Sequence, residues 1–354
     1  MVKLTKKLTV IILAFLMVFA MAGCGGLNVI KEIANINGEV ISEGEFKYYL
    51  ENVKQEMLTE AGLATQEEVD SFWAGDIDGV NAAEVAKNKA MEEAIRVEIA
   101  NILAKEAEIT LDSATRKQIE DIVDQGGDQV AQMKATTGLN EEELIEVISK
   151  EQISTLYANH LSSTEPEKFI PKSEDAVAKY DKEYVRVKHI FISKTDLSQQ
   201  SAEAEAVPVE TEGAKEQTPE EFEAAQKALA EEVYKKVEAG EDFEALIAEY
   251  NEDPGMEQNP DGYTFTNDSG MVQVFEDAAF ALEVGQVSQI VEQPQGWHII
   301  KKYELLTEGE EYTQIISQLT SDMADVLFDE YIISLKDNYK ITTNESAIKG
   351  IKIK

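Results

Sequence analysis

Histidine and cysteine, which often carry acid–base, nucleophilic and metal chemistry, are scarce in this chain of 354 residues. The histidines are His160, His189 and His298, and Cys24 is the single cysteine. One cysteine is too few for a disulfide framework or a thiolate zinc site. Two imidazoles that met in space would also be too few ligands for a structural metal. We therefore expect no metal site, and any histidine chemistry is confined to three positions.

His189 lies within residues 185–192, where the side chains alternate in the way that predicts a β-strand. The alternation places Val187, His189 and Phe191 on one face of this strand. A lone histidine on an apolar strand face is ordinarily a structural group with a hydrogen-bond partner. The strand by itself therefore does not establish a catalytic role for His189.

Cys24 closes an N-terminal segment that has the pattern of an export signal. Three lysines among the first seven residues precede an uncharged apolar run over 8–19, and small residues lead to Cys24. The run is too short to cross a bilayer core of about 30 Å. The pattern resembles the bacterial lipobox, which implies that 1–23 is a signal peptide and that Cys24 is acylated. An ordinary cleaved signal with an incidental cysteine is the alternative.

Two acyl chains, at ~0.8 kcal/mol per buried methylene, would anchor the protein stably. We therefore expect a lipoprotein, palmitoylated at Cys24, on the extracytoplasmic face of the cell membrane. The chain has 69 acidic against 32 basic residues and a formal net charge of −37. This charge argues against nucleic-acid partners, which require clustered cations. Solubility is the simplest explanation of the acidity.

A helical region follows a short tether over 24–32. Asn37-Gly38 predicts a hairpin, and the chain after it predicts amphipathic helices. The predicted helices begin at Ser42, near Asn81, after Ser113 and at Asn140. Phe72 and Trp73 lie in a stretch of low predicted helicity, where they either line a client surface or anchor the core. Pro166 and Pro171 break the helical pattern and indicate a domain boundary.

The next region predicts the element order β-α-α-(β)-α-β-β, a compact α/β module. It includes an acidic loop over 197–217 whose composition predicts disorder. An amphipathic helix over 312–339 follows, and we expect it to pack back on the first helical region, although it is equally compatible with a homodimer. The predicted fold class is α+β. A discontinuous helical domain is formed by 33–175 and 306–354, with an α/β domain, 182–305, inserted in it.

Six segments of the α/β module carry a family resemblance. They are 187–192, 240–246, 250–255, 270–280, 285–288 and 296–300. In this order and spacing they resemble the parvulin family of peptidyl-prolyl cis-trans isomerases. The flanking helices resemble the chaperone region of the PrsA, SurA and trigger-factor foldases. Together with the signal and Cys24, the organisation is most similar to the PrsA foldases.

The parvulin resemblance implies a set of site residues. His189 and His298 match the paired histidines of the family, and Asp253 matches a third catalytic position. Four residues match or flank the proline pocket: Met271, Phe275, Phe265 and Phe280. Plain core packing is the alternative for the pocket residues, and capping of the turn at Pro254 is the alternative for Asp253. The threonine that parvulins place before the second histidine is Gln293 here, which removes a hydroxyl from the histidine network.

The chemistry implied needs no cofactor. An X-Pro amide isomerises over tens to hundreds of seconds, because resonance makes the bond planar. A catalyst must grip the prolyl ring, exclude water and favour the twisted amide. The expected function is therefore a membrane-anchored foldase for unfolded or nascent secreted proteins that contain X-Pro bonds. A holdase with a weakly active parvulin domain is the alternative. A solute-binding lipoprotein would need two similar α/β lobes, and only one is evident.

Overall fold

The computed structural model describes residues 31–63, 65–195, 218–267 and 269–353. The predicted signal peptide, Cys24, most of the tether and the acidic loop over 197–217 lie outside the described residues, and these assignments stay predictions. The chain forms two compact units. In the described residues, the first unit contains 31–102, 110–152 and 337–353, and the second contains 103–109 and 153–336.

The secondary structure is mainly helical, with three small sheets. The strands are β1 (Glu32–Ile36), β2 (Glu39–Ser42), β3 (Asp76–Ile77), β4 (Val80–Asn81), β5 (Tyr184–Ser193), β6 (Tyr263–Thr266), β7 (Val291–Glu292), β8 (Gly296–Tyr303) and β9 (Ile341–Thr343). The helices are α1 (Glu43–Glu60), α2 (Gln66–Ala74), α3 (Ala82–Glu106), α4 (Ser113–Gln125), α5 (Gly127–Thr137), α6 (Glu141–Thr164), α7 (Pro166–Phe169), α8 (Ser173–Glu183), α9 (Pro219–Glu238), α10 (Phe243–Tyr250), α11 (Gly255–Gln258), α12 (Gln273–Ala281), α13 (Glu310–Ser334) and α14 (Glu345–Gly350). Among the described residues, no helix has both the length and the apolar character that a membrane crossing requires.

The first unit opens with the predicted hairpin. β1 and β2 pair antiparallel, and Asn37 and Gly38 between them have positive φ angles of 54° and 106°. A two-residue turn with both residues in this region is the one that Asn-Gly favours. β9, near the other end of the chain, pairs antiparallel with β1 and gives the sheet order β2-β1-β9. The sequence analysis did not predict β9.

Local capping signals set the starts of the predicted helices in this unit. The Ser42 hydroxyl accepts a hydrogen bond from the Glu45 amide at 3.1 Å, which caps α1. The Asn140 side chain accepts from the Glu143 amide at 3.1 Å, and the Glu143 carboxylate accepts from the Asn140 amide at 2.8 Å. This reciprocal pair is a capping box at the start of α6.

The expectation of low helicity around Phe72 and Trp73 is wrong, because both residues lie in α2. A capping box between Thr65 and Glu68 opens this helix. Trp73 is buried and meets Phe72 edge-on, with ring centroids 4.9 Å apart. Trp73 is therefore a core residue, as one of the two alternatives expected.

A buried ion cluster joins three helices of the first unit. Lys150 on α6 donates to Glu45 on α1 at 2.8 Å and to Glu98 on α3 at 2.7 Å. Both carboxyl side chains are less than a tenth exposed. Burial raises the pKa of Glu45 in spite of the nearby ammonium. Burial alone would lower the pKa of Lys150, but the two carboxylates together raise it.

The second unit is built on an antiparallel sheet with the strand order β6-β5-β8-β7. Helices α9 and α10 cover one face, and helix α12 covers the other. The first face buries Ile190, Ile192, Ala230, Val233, Phe243, Leu246, Trp297 and Ile299. The second face buries Val185, Val187, Phe265, Phe275, Ala279, Leu282 and Ile300. Because strand side chains alternate, His189 lies on the face that α12 covers.

Two predicted elements of this unit differ in detail. The strand expected over 287–291 is reduced to β7 and an isolated bridge between Val287 and Lys301. The long helix α13 packs on α8, where Tyr180 and Leu319 share a buried cluster. The chain beyond residue 336, with β9 and α14, belongs to the first unit instead. The predicted domain boundaries stay a prediction. The compact units divide the chain within the predicted helical region, between residues 152 and 153.

Candidate active site

The two central strands of the second unit bring His189 and His298 together. In the β5–β8 register, His189 lies opposite Ile300 and Phe191 lies opposite His298. The histidines are therefore diagonal neighbours on one sheet face. Their ring centroids are 5.0 Å apart with an interplanar angle of 78°. Two histidines that are distant in the sequence thus form a single pair of imidazoles.

Phe275, on α12, lies against both imidazoles. Its ring centroid is 5.3 Å from that of His189 and 5.3 Å from that of His298. Phe275 is buried, and His189 is only 5% exposed. Burial, with a further contribution from His189, lowers the pKa of His298 to about 3. His298 is consequently a neutral imidazole at neutral pH.

Asp253 reaches the histidine pair from the loop after α10. Its Oδ2 atom lies 3.0 Å from Nε2 of His189, and its Oδ1 atom accepts from the Gly255 amide at 2.9 Å. One oxygen therefore caps the turn at Pro254 while the other faces His189. The capping contact that the sequence raised as an alternative is therefore present, and the catalytic role of Asp253 stays a prediction.

The hydrogen bond from His189 is the main cause that lowers the pKa of Asp253 to about 2, against the opposing effect of burial. An ionised carboxylate only accepts hydrogen bonds, so Nε2 of His189 must carry a proton. In the neutral imidazole the other nitrogen, Nδ1, then carries none. The contact with Asp253 therefore selects one tautomer of His189.

Asn251 and Glu252, the two residues that precede Asp253, connect its loop to β5 by hydrogen bonds. Asn251 accepts from the Phe191 amide at 2.9 Å and donates to the Asp253 carbonyl at 2.8 Å. Glu252 donates its amide to the Phe191 carbonyl at 2.9 Å and accepts from the Ser193 amide at 2.6 Å. The sequence analysis missed both roles. The run Asn251-Glu252-Asp253 directly after a helix is the signal that was available.

Tyr263, the first residue of β6, is a further contact that the sequence analysis missed. Its hydroxyl donates to Oδ2 of Asp253 at 2.8 Å, and its ring centroid lies 5.7 Å from that of His189. Burial, together with the nearby Asp253 carboxylate, raises the pKa of Tyr263 to about 12. The hydroxyl therefore keeps its proton and acts as a donor to Asp253.

The four predicted pocket residues lie in one apolar cluster beside the histidines. The Phe265 ring centroid is 6.0 Å from that of Phe275 and 6.1 Å from that of Phe280. Phe265 and Phe275 are buried, whereas Met271 and Phe280 are partly exposed. Met271 and Phe275 flank the start of α12, so an apolar ligand at this end of the helix would meet both.

Glu276 anchors the loop that carries Met271. It is 1% exposed, and its Oε1 atom accepts from the Ser269 amide at 2.9 Å and the Ser269 hydroxyl at 2.7 Å. The same oxygen lies 3.2 Å from the Met271 amide, which also donates to it. An acidic residue in an apolar helix was the only sequence signal for this role.

Gln293 occupies the position where parvulins have threonine. Its backbone amide donates to the Gly296 carbonyl at 2.8 Å. Among the described residues, the Nδ1 atoms of His189 and His298 are buried without a hydrogen-bond partner. The histidine pair is therefore oriented through Asp253 and through packing.

Comparison with known proteins identifies the domain that contains these residues. The family described as the PPIC-type PPIASE domain matches residues 172–304. These residues form a domain of the parvulin type of peptidyl-prolyl cis-trans isomerase, and the predicted α+β fold with a parvulin domain is confirmed. The chain as a whole is similar to the foldase proteins named PrsA.

Two PrsA relatives show how far the similarity extends. Foldase protein PrsA 4 of Bacillus cereus is 43% identical over 93 residues, which cover 25% of this chain and 33% of that protein. Foldase protein PrsA of Clostridium tetani is 24% identical over 370 residues, with 96% of each chain covered. The crystal structure of the peptidylprolyl isomerase PrsA from Bacillus cereus covers 92% of this chain and 93% of its own, with 19% identity and a TM-score of 0.30.

Proposed function

We propose that this protein is a membrane-anchored extracytoplasmic foldase that isomerises X-Pro bonds in unfolded or nascent secreted proteins. The observation that carries the enzymatic part is the meeting of His189, His298 and Asp253 beside the apolar cluster at Phe275. Anchoring through Cys24 and the nature of the clients rest on the N-terminal pattern and on the similarity to PrsA foldases.

The site suits a reaction in which no covalent bond to the protein forms. The prolyl ring would lie against Met271 and Phe275, where burial removes water from the amide. The planar amide owes its barrier of ~18–20 kcal/mol to resonance, which twisting removes. Polar groups that match the twisted state better than the planar one lower this barrier. Neutral His298 and the His189–Asp253 pair supply such groups at the edge of the apolar cluster.

The two carboxylate oxygens of Asp253 have different partners, and this geometry suggests different roles for them. Its Oδ1 atom is engaged by the Gly255 amide, so only the Oδ2 side is directed to the histidines. Asp253 therefore acts on the substrate through His189. Its ionised state orients the imidazole and makes the face of His189 next to the pocket more electron-rich.

The test is a proline-limited refolding assay with the full chain and two variants, His189→Ala and Asp253→Ala. We expect kcat/KM to fall roughly 100-fold in each, the range seen when an electrostatic catalytic group is removed. His160→Ala is the matched control, because His160 is exposed on α6 and stacks on Tyr157 outside this site. Catalysis unchanged in both site variants would contradict the proposal.

The holdase alternative has one structural observation in its favour, namely the unpartnered Nδ1 atoms of both histidines. Suppression of aggregation of an unfolded client, measured alongside isomerisation, separates the two functions. A foldase loses isomerisation in Asp253→Ala and keeps the suppression. A holdase shows suppression with isomerisation that is weak in the wild type and insensitive to Asp253.

A further inference from the structure

Tyr263 and His189 share one acceptor atom. The Tyr263 hydroxyl donates to Oδ2 of Asp253 at 2.8 Å, and Nε2 of His189 lies 3.0 Å from the same oxygen. Tyr263 enters from β6, which pairs with β5 through Val187, two residues before His189. The three side chains thus form a continuous hydrogen-bonded chain that spans two neighbouring strands and the loop after α10.

Gly255 leaves the space that this arrangement needs. A Cβ atom built on Gly255 would lie 2.2 Å from the Tyr263 hydroxyl and 3.1 Å from Oδ1 of Asp253. Real Cβ atoms are not found at 2.2 Å, so any other residue at 255 would displace the tyrosine. The backbone amide of Gly255 also donates to Asp253. The loop therefore both accommodates Tyr263 and fixes the carboxylate that it contacts.

We propose that Tyr263 is a positioning residue of the isomerase site, which holds Asp253 against His189 through its hydroxyl. This inference rests on the proposed function and deepens it. The Nδ1 atoms of both histidines are buried without a hydrogen-bond partner in the described residues, so the contact through Asp253 is the one that Tyr263 steadies. The Tyr263 ring packs against the apolar cluster, and its hydroxyl acts on the substrate through Asp253 and His189.

The charges around Asp253 support this role. In the part of the chain that the structure describes, the basic side chain next to Asp253 is His189, with Nε2 3.0 Å from Oδ2, and His298 on β8 is neutral. Lys188 points to the other sheet face and pairs with Glu244, and Arg186 donates to backbone carbonyls. Ionised Asp253 is consequently stabilised by three donors, namely His189, the Gly255 amide and the Tyr263 hydroxyl.

The first experiment compares Tyr263→Phe with the wild-type full chain in the refolding assay as a function of pH. We expect kcat/KM at neutral pH to fall roughly tenfold, which corresponds to ~1.4 kcal/mol. Loss of a donor to the ionised carboxylate raises the pKa of Asp253. The acid limb of the pH profile should therefore move to higher pH, a change that a purely structural role would not produce.

Tyr303→Phe is the matched control. The Tyr303 hydroxyl also donates to a carboxylate, that of Glu244, at 2.5 Å, but on β8 outside the site. Its removal should leave the pH profile unchanged. Gly255→Ala is the second variant, because it displaces the hydroxyl while all three side chains remain. We expect it to shift the acid limb in the same direction as Tyr263→Phe.

A second readout does not depend on activity. Histidine labelled with ¹⁵N gives resonances from only three side chains in the full chain, so the tautomer of His189 can be followed directly. We expect the Nε2-protonated form in the wild type and a mixture of tautomers in Tyr263→Phe. If both the spectrum and the pH profile are unchanged while His189→Ala loses activity, the role of Tyr263 is wrong and the proposed function stands. If the wild type is inactive yet the tautomer still changes, the proposed function fails and the role of Tyr263 in positioning His189 holds.

Discussion

The two compact units each bury a carboxylate in a polar cluster, and the two clusters shift the carboxyl pKa in opposite directions. Glu45 in the first unit faces the ammonium of Lys150, and its pKa is raised because burial outweighs the attraction. Asp253 in the second unit faces His189, the Gly255 amide and Tyr263, and its pKa is lowered to about 2. Burial thus outweighs the ammonium at 2.8 Å for Glu45, whereas the hydrogen bonds outweigh burial for Asp253.

The difference comes mainly from burial, and the sharing of partners adds to it. Lys150 serves two carboxylates, Glu45 and Glu98, and the nearby Glu98 further raises the pKa of Glu45. Asp253 is only half-buried, so its ionised form loses less hydration. The first cluster is therefore sensitive to the loss of its single cation. The second cluster keeps a carboxylate ionised beside the apolar cluster at Phe275.

The largest effect should follow from removing the cation of the first cluster. Lys150→Met leaves two carboxylates buried without a countercharge, and we expect a loss of ~3–5 kcal/mol in the free energy of unfolding. Denaturant unfolding of the full chain measures this loss. Lys117→Met is the control, because Lys117 pairs with Asp121 on the surface and its removal should change stability little. Equal effects of the two substitutions would show that the buried cluster is not held by Lys150.

An intermediate effect concerns acid stability and Asp253. Its folded-state pKa, about 2, lies below the unfolded value of ~3.9, so the folded state is favoured by its ionised form above pH 4. This contribution, ~1–2 kcal/mol after solvent screening, is lost as the pH falls from about 4 to 2. Unfolding measured across this range should show a loss that is larger in the wild type than in Asp253→Asn by this amount, because other carboxyl groups with lowered pKa values contribute equally to both. A loss of the same size in both would contradict the lowered pKa.

The smallest effect should come from Glu45→Gln. Burial raises the folded-state pKa of Glu45, so the ionised carboxylate destabilises the folded state. This unfavourable contribution is lost as the pH falls from neutral towards the unfolded value of about 4.5. The substitution should change stability by less than ~1 kcal/mol at pH 7 and remove this part of the pH dependence. Glu43→Gln is the control with the opposite sign, because a hydrogen bond from Lys47 lowers the pKa of Glu43. A steeper pH dependence in Glu45→Gln than in the wild type would contradict the raised pKa.

Features that depend on neighbouring residues could be predicted from the sequence. Asn37-Gly38 predicted the hairpin because few residue pairs accept two positive φ angles. The helix start predicted at Asn140 is that of α6, where Asn140 and Glu143 form a capping box. Alternation over β5 placed His189 on one sheet face. In each case the deciding atoms lie within a few residues of one another.

The assembly of the site was decided by the tertiary structure. His189 and Asp253 are 64 positions apart, and their contact depends on the sheet register and on the loop that Asn251 fastens to β5. The hydroxyl of Tyr263 reaches Asp253 because Gly255 has no side chain, and no local propensity encodes that fit. The family resemblance named the histidines in advance, but the sequence held no sign of how they are oriented. Hydrogen bonds between distant residues depend on where the folded backbone places them, and only the packed sheet and its loops determine that placement.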